Sequence, residues 1–269
     1  MHHPTKETKM NTANLQLRIH DQVAWVQIDR PTKLNALNKE VLEDLHQVFS
    51  ELRNDVSVRV IVLTGSGEKA FVAGADISEF SKFSPNQGKA LSQTGQDQVF
   101  AYIEQMNKPV IAAINGFALG GGLELAMSCH IRIASNNARM GLPETSLGVI
   151  PGYGGTQRLA HIIGKGRAME LILTCQMITA DQALEFGLIT QAVPQEELLS
   201  AAASVAQKIL NNSPFAMNQA IQAVNAAYDE NQNGYDIEIN AFGTCFGSED
   251  FKEGTVAFLE KRKANFTGN

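Results

Sequence analysis

Cysteine, positive charge and long apolar runs are all scarce in this chain of 269 residues. Its three cysteines, Cys129, Cys175 and Cys245, stand far apart and odd in number, which argues against a disulfide framework or a zinc knuckle and fits a reducing, cytoplasmic setting. The six histidines, His2, His3, His20, His46, His130 and His161, show no ligand spacing, so no metal is expected. With 22 Lys plus Arg against 28 Asp plus Glu, the formal net charge is −6, and only the tail "EKRKANF" is locally basic. That balance speaks against nucleic acid as a partner, because phosphate binding calls for clustered cations. No apolar run approaches the ~20 residues of a membrane-spanning helix, so no membrane partner is expected either. The start "MHHPTKETKMN" has neither an apolar leader core nor an Arg-rich amphipathic pattern, and residues 1–12 read as a flexible extension.

Common catalytic signatures are missing as well. There is no G-x-S-x-G, H-E-x-x-H, C-x-x-C or G-x-x-x-x-G-K-[ST], which leaves most nucleophilic, zinc and nucleotide mechanisms without support. "GSGEKA" fits the loose form of a dinucleotide fingerprint, yet "FVAG" follows too soon for a crossover helix and no acid marks a second strand end.

What is present is a repeated strand-then-helix beat. "LQLRI" and "VAWVQI" alternate as paired strands around His20-Asp21-Gln22. Asn38 is placed to cap a helix whose apolar stripe is Leu42, Leu45, Val48, Phe49 and Leu52. "VRVIVLT" is β-branched without alternation and reads as a strand covered on both faces. "AFVAGADISEF" and "KPVIAAINGFALGGGLELAMS" repeat the beat before "IRIAS" returns as strand, and repeated β-then-α units predict an α/β layer architecture. Between them, "SKFSPNQGKALSQTGQDQ" is polar and reads as a mobile surface segment. Beyond about residue 195 only helical patterns follow, with Ser213-Pro214 opening one of them and acids early, bases late in "SEDFKEGTVAFLEKRK".

Gly120, Gly121 and Gly122 fall where a loop becomes a helix, so their N–H groups belong to the unsatisfied donors of its first turn. Gly74-Ala75-Asp76 makes a similar turn, and two such donors aimed at one oxygen would form an oxyanion hole. Glu124 lies in the first turn of the "LELAMS" helix, and Glu144 follows Leu142-Pro143 in "GLPETSLGVIPGYGG". The residues alone leave two readings open: tight helix starts with dipole-stabilised acids, or an oxyanion hole with two proton-transfer groups.

"KPVIAAINGFALGGGLELAMSC", "GLPETSLGVIPGYGGTQRL", "AFVAGADISEF" and "FLEKRKANF" together resemble the enoyl-CoA hydratase/isomerase (crotonase) superfamily, and most of all its short-chain enoyl-CoA hydratases. The likeness runs from "RPTKLNALN" to the C-terminus. It implies a crotonase-like α/β spiral of ββα units over residues 13–197 and a helical trimerisation region over 198–269, assembled as trimers or dimers of trimers. It implies hydration of a trans-2-enoyl-CoA, with an acyl-CoA thioester as partner and no cofactor beyond the CoA of the substrate. By matching positions, the N–H groups of Ala75 and Gly121 would hold the thioester oxygen. Glu124 would activate water, Glu144 would protonate the α carbon, and the Gly152 N–H would help hold the water. Ala73 and Ile77 would touch the adenine, with Asp76 between them in sequence, while Lys33 and Lys261 would lie near the phosphates, Lys261 from a neighbouring subunit. His130 replaces the family's usual Asp, and Ser78 replaces a Lys of some hydratases. Retention of both acids favours hydratase over the isomerases, many of which keep one. An RNA-binding homologue would need a Lys-rich exposed helix, and "NKEVLEDLHQVFSELRN" balances its bases with acids.

Overall fold

The computed structural model describes residues 8–269. β1 (Thr8–Asn11) pairs antiparallel with β2 (Leu15–His20), and β2 with β3 (Val23–Ile28). The β2–β3 turn consists of Asp21 and Gln22 at φ 47° and 65°, the left-handed pair that suits a two-residue hairpin between right-twisting strands. β1 corrects the expected free extension over residues 1–12. The Thr12 hydroxyl donates to Asp44 at 2.8 Å and the Asn14 N–H to the same carboxylate at 3.2 Å, and this anchored turn lays residues 8–11 along β2. The first seven residues of that extension lie outside the described residues.

α1 (Lys39–Asn54) starts where the Asn38 side chain accepts the Val41 N–H, and it buries Val41, Leu45, Val48, Phe49 and Leu52. Its stripe therefore opens with Val41, while Leu42 stays half-buried. β4 (Val60–Gly65) is buried throughout and lies parallel to β3, and β5 (Ala70–Ala73) leaves for a second sheet. After β5 the chain makes only a single 3-10 turn, Ile77–Glu79.

The expected mobile segment around 81–98 is instead helical. The Ser84 side chain accepts the Gln87 N–H while the Gln87 side chain accepts the Ser84 N–H, a capping box that starts α2 (Pro85–Gly95) despite its polar composition. A π-helical turn, Gln96–Phe100, carries it into α3 (Ala101–Glu104).

The same unit then recurs. β6 (Val110–Ile114) joins the first sheet and β7 (Phe117–Leu119) the second, followed by α4 (Gly121–Ser128). β8 (Ile131–Ser135) and β9 (Arg139–Gly141) do likewise, followed by a 3-10 turn, Glu144–Leu147, and by α5 (Gly155–Ile163) and α6 (Lys165–Thr174). β10 (Ile178–Thr179), α7 (Ala180–Glu185) and β11 (Gln191–Val193) complete the spiral. The large sheet has order β1-β2-β3-β4-β6-β8-β11 and the small one β10-β9-β7-β5, so each turn of chain gives one strand to each.

Helices α8 (Leu198–Leu210), α9 (Pro214–Ala226), α10 (Gly234–Cys245) and α11 (Glu249–Leu259) follow. Leu198, Ala202 and Ala206 of α8 pack on Val60, Val62, Ile111 and Ile133, covering the large sheet's second face. The sequence boundary at 197/198 thus separates patterns, while the packing layer of the spiral includes α8. The basic tail begins just past the end of α11, where the Lys261 and Arg262 N–H groups donate to the Phe258 and Ala257 carbonyls, and Arg262 grips Glu253 with two hydrogen bonds of 2.7 and 2.9 Å.

Candidate active site

The small sheet delivers the C-terminal ends of its strands to one place. α4 begins directly after β7, with Gly120 at φ 51° and ψ −126°. A Cβ on Gly120 would come within 2.6 Å of Glu144 Oε1, and one on Gly122 would run into the Val72 carbonyl of β5. Glycine at these positions lets β5, α4 and the Glu144 turn approach closely. Every residue of α4 is buried, Glu124 included, at 1% exposure.

Glu124 Oε1 accepts two backbone hydrogen bonds of 2.8 Å, from the Tyr153 N–H and the Gly155 N–H. Gly155 opens α5, so the carboxylate meets the positive pole of that helix as well as its free donors. Burial pushes the Glu124 pKa up to about 7; the Glu144 charge adds to the rise, while the two N–H groups and Arg158 oppose it. Glu144 is also raised by burial. Its Oε2 is buried without a hydrogen-bond partner, although Oε1 lies beside Gly120. The two neighbouring carboxyls, both raised by burial and with the Glu144 charge acting on Glu124, form a coupled pair of proton-transfer groups.

Ala75 forms a parallel bridge with Leu37, made by the Leu37 N–H to the Gly74 carbonyl at 2.9 Å and the Asp76 N–H to the Leu37 carbonyl at 2.7 Å. Such a bridge leaves the bridged residue's own N–H pointing away from its partner strand. Leu37 also approaches Gly121, where a Cβ would sit 3.3 Å from its Cδ1. Among the described residues, neither the Ala75 N–H nor the Gly121 N–H donates to a protein acceptor. Gly152 precedes Tyr153, and its carbonyl accepts from the Ser92 hydroxyl of α2. Thus the structure gathers Ala75, Gly121, Glu124, Glu144 and Gly152 around Leu37 and Tyr153.

The five expected CoA-contacting residues divide. Asp76 caps the 3-10 turn, accepting from the Ser78 hydroxyl at 2.6 Å, and that bond, with Lys33 and Arg30 nearby, holds its pKa low. Lys33, Ala73, Asp76 and Ile77 therefore share one lip beside Ala75, where the Ala73 N–H donates to the Leu34 carbonyl. Lys261 lies past α11, and among the described residues no contact joins it to that lip. A cleft of about 600 Å³ next to this lip is walled by Leu42, Phe80, Phe83 and Leu91.

His130 has a definite structural use. Its Nδ1 accepts the Val110 N–H at 2.9 Å, and its Nε2 lies 3.1 Å from the Glu104 carbonyl, a pairing that places the ring proton on Nε2. Burial lowers its pKa, consistent with a neutral ring. The imidazole thus supplies an acceptor of the kind a carboxylate would offer there.

Sequence reasoning missed the groups that hold Glu124. The glycine pair in "GYGGTQR", just before a helix, is the signal that the Tyr153 and Gly155 N–H groups are free to bind an acid. Arg158 and Glu104, which stand behind that turn, carry no local signal at all. Among the described residues no cluster of three or more His, Cys, Asp or Glu side chains suits a metal ion, and no helix is long and apolar enough to cross a membrane.

Two sheets wound by ββα units, with a buried and a half-buried acid beside unpaired backbone donors, define the crotonase class of fold. The enoyl-CoA hydratase/isomerase family model matches residues 18–269, and the chain belongs to that family. It is 48% identical to a short-chain-enoyl-CoA hydratase of Clostridium acetobutylicum, over 94% of this chain and 97% of that protein. It is 45% identical to a crotonyl-CoA hydratase of Syntrophomonas wolfei, again over 94% and 97%. An enoyl-CoA hydratase crystal structure from Bacillus anthracis superposes with a TM-score of 0.88 at 39% identity, covering 95% of this chain and 100% of that one.

Proposed function

We propose that this protein is an enoyl-CoA hydratase, adding water reversibly across the double bond of a short trans-2-enoyl-CoA such as crotonyl-CoA to give the 3-hydroxyacyl-CoA. The observation that carries this reading is the pair Glu124 and Glu144, both raised by burial, beside the unpaired N–H groups of Ala75 and Gly121. Conjugate addition moves electron density onto the thioester oxygen, and two N–H groups aimed at it stabilise that charge. Ionised Glu124, anchored by Oε1, offers its other oxygen to a water and takes its proton as the oxygen attacks the β carbon. Protonated Glu144 delivers a proton to the α carbon, and the Gly152 N–H steadies the water. Two proton-transfer groups and an oxyanion hole account for the reaction without a cofactor beyond the CoA of the substrate.

The family match and the short-chain relatives support CoA thioesters as the partner class, and the lip of Lys33, Ala73, Asp76 and Ile77 is our candidate for the nucleotide end. The cleft walled by Phe80, Phe83 and Leu91 is our candidate for the wall that sets acyl length. Val224, Ile239, Phe242 and Phe258 are exposed on the C-terminal helices, which favours a trimer or dimer of trimers burying that region, with Lys261 serving a neighbouring subunit. We place the enzyme in the cytoplasm, in keeping with its free cysteines.

Incubating purified protein with crotonyl-CoA and weighing the products tests the reaction. The expected product has gained one water; a product of unchanged mass with a moved double bond, or free CoA, would overturn the reading. The pH dependence follows from the same groups. Hydration needs Glu124 ionised, so kcat/KM is expected to rise as pH climbs through about 7. Stability runs the other way. Because the folded-state pKa of Glu124 is raised above its ordinary 4.5, the folded chain holds that proton more tightly, and this contribution is lost as pH rises from about 4.5 to about 7. Thermal melts of wild type and Glu124→Gln across that window check the sign: the wild type should lose stability relative to the variant.

A further inference from the structure

Behind the turn that holds Glu124 sits a guanidinium with no place in the chemistry so far. Arg158 is 9% exposed. Its Nε and Nη2 donate to the two oxygens of Glu104 at 2.9 and 2.7 Å, and its Nη1 donates to the Tyr153 carbonyl at 2.8 Å. The Tyr153 N–H, on the same residue, donates to Glu124. Glu104 closes α3, and its own carbonyl accepts from Asn225 of α9 at 2.7 Å and pairs with His130 Nε2 at 3.1 Å. One face of Arg158 is therefore fixed to a doubly anchored helix end, and the other to the turn carrying Gly152, Tyr153 and Gly155.

We propose that Arg158 and Glu104 are positioning residues for hydration, a forked ion pair that holds the Pro151–Gly155 turn so that two N–H groups stay on one oxygen of Glu124 and the other oxygen remains free for water. The proposal rests on the hydratase reading. The planar fork suits this task because it binds carboxylate and carbonyl in one fixed geometry, which a lysine does not reproduce. The Tyr153 ring adds a second constraint, stacking on Phe100 with centroids 4.5 Å apart. The charged and titratable groups facing Glu124 are Glu144 from the 3-10 turn, Tyr153 from the loop and Arg158 from α5, with Glu104 of α3 behind Arg158 and Glu79 facing Tyr153. Arg158 is the cation among those that act on Glu124, so it favours the ionised base as well as its placement.

The test is the pH–rate profile for crotonyl-CoA of wild type, Arg158→Met, Glu104→Gln and the double variant, alongside thermal melts. Arg158→Met is expected to lower kcat by about tenfold to a hundredfold, as misplacement of a reacting group does. Its acid limb should move up by about one pH unit as the cation is lost. KM should stay within about threefold, because the lip that would hold CoA is untouched. Glu104→Gln keeps the guanidinium on Tyr153 and should not move the limb upward. The double variant also removes the half-buried carboxylate that Arg158→Met leaves without its partner, so it should melt at least as high as that single variant yet keep its low kcat and shifted limb. A folded double variant with wild-type kcat and an unmoved limb overturns the proposal while leaving the hydratase reading intact. A wild type that adds no water overturns both.

Discussion

Replacing Glu144 with glutamine is expected to lower kcat for crotonyl-CoA hydration by about a hundredfold to ten-thousandfold, the contribution of a well-placed proton-transfer group. An amide keeps the shape of the side chain but cannot release a proton to the α carbon. The Glu144 Oε2 atom is buried and without a hydrogen-bond partner, so the substitution breaks no bond at that atom. A circular dichroism melt close to wild type should accompany the loss. Glu124→Gln should cost a similar factor by a different route. Its Oε1 can still accept the Tyr153 and Gly155 N–H groups, but the other position becomes an amide nitrogen, a donor where the attacking water needs an acceptor. The two variants also separate by pH. Glu124→Gln should abolish the rise in kcat/KM through about pH 7, while Glu144→Gln should keep that rise and move it to lower pH, because the Glu144 charge that raises Glu124 is gone. Both should retain affinity for a non-reactive CoA thioester, read by calorimetry. Near-normal turnover in either variant would remove that residue from the mechanism.

How far the sequence predicted this site depends on the reach of each interaction. Gly120 to Glu124 was legible because helix start, free donors and acid fall within one turn of chain. The Asn38 cap and a turn at His20-Asp21-Gln22 were legible for the same local reason, although His20 itself ends β2 and leaves Asp21-Gln22 as the turn. α2 was misread because its polar composition outweighed a capping box spelled out in Ser84-Pro85-Asn86-Gln87; the helix leans on Tyr153, where a Cβ at Gly95 would collide with the ring. β1 was missed because its placement depends on Asp44, 32 residues from Thr12. The approach of Glu144 to Gly120 and the Arg158–Glu104 fork, whose partners lie 54 residues apart, arise only when strands from successive turns of the spiral stack. Sequence spacing carries no trace of such contacts, so the two candidate acids were visible and the framework that holds them was not.

Gly121→Pro removes one of the two backbone N–H groups of the proposed oxyanion hole, which ordinary side-chain substitutions leave in place. Gly121 is the first residue of α4, a position where proline is well tolerated because the N–H it removes has no helical partner. Gly120, at φ 51° and ψ −126°, has no Cβ to clash with the proline ring. The new Cβ would meet Leu37 Cδ1 at 3.3 Å, a flexible side-chain end. Gly121→Ala presents the same Cβ and keeps the N–H, and is the matched control. Loss of one oxyanion donor typically costs about a hundredfold to a thousandfold. The ring carbon also projects into the space the thioester oxygen would occupy, so KM should rise and kcat/KM should fall by at least about a thousandfold relative to Gly121→Ala. The two variants should melt within a few degrees of each other, since they differ chiefly in a donor that no protein atom accepts. A proline variant within about tenfold of the alanine control would mean that the thioester oxygen sits elsewhere, and with it the axis along which Glu124 and Glu144 are set to act.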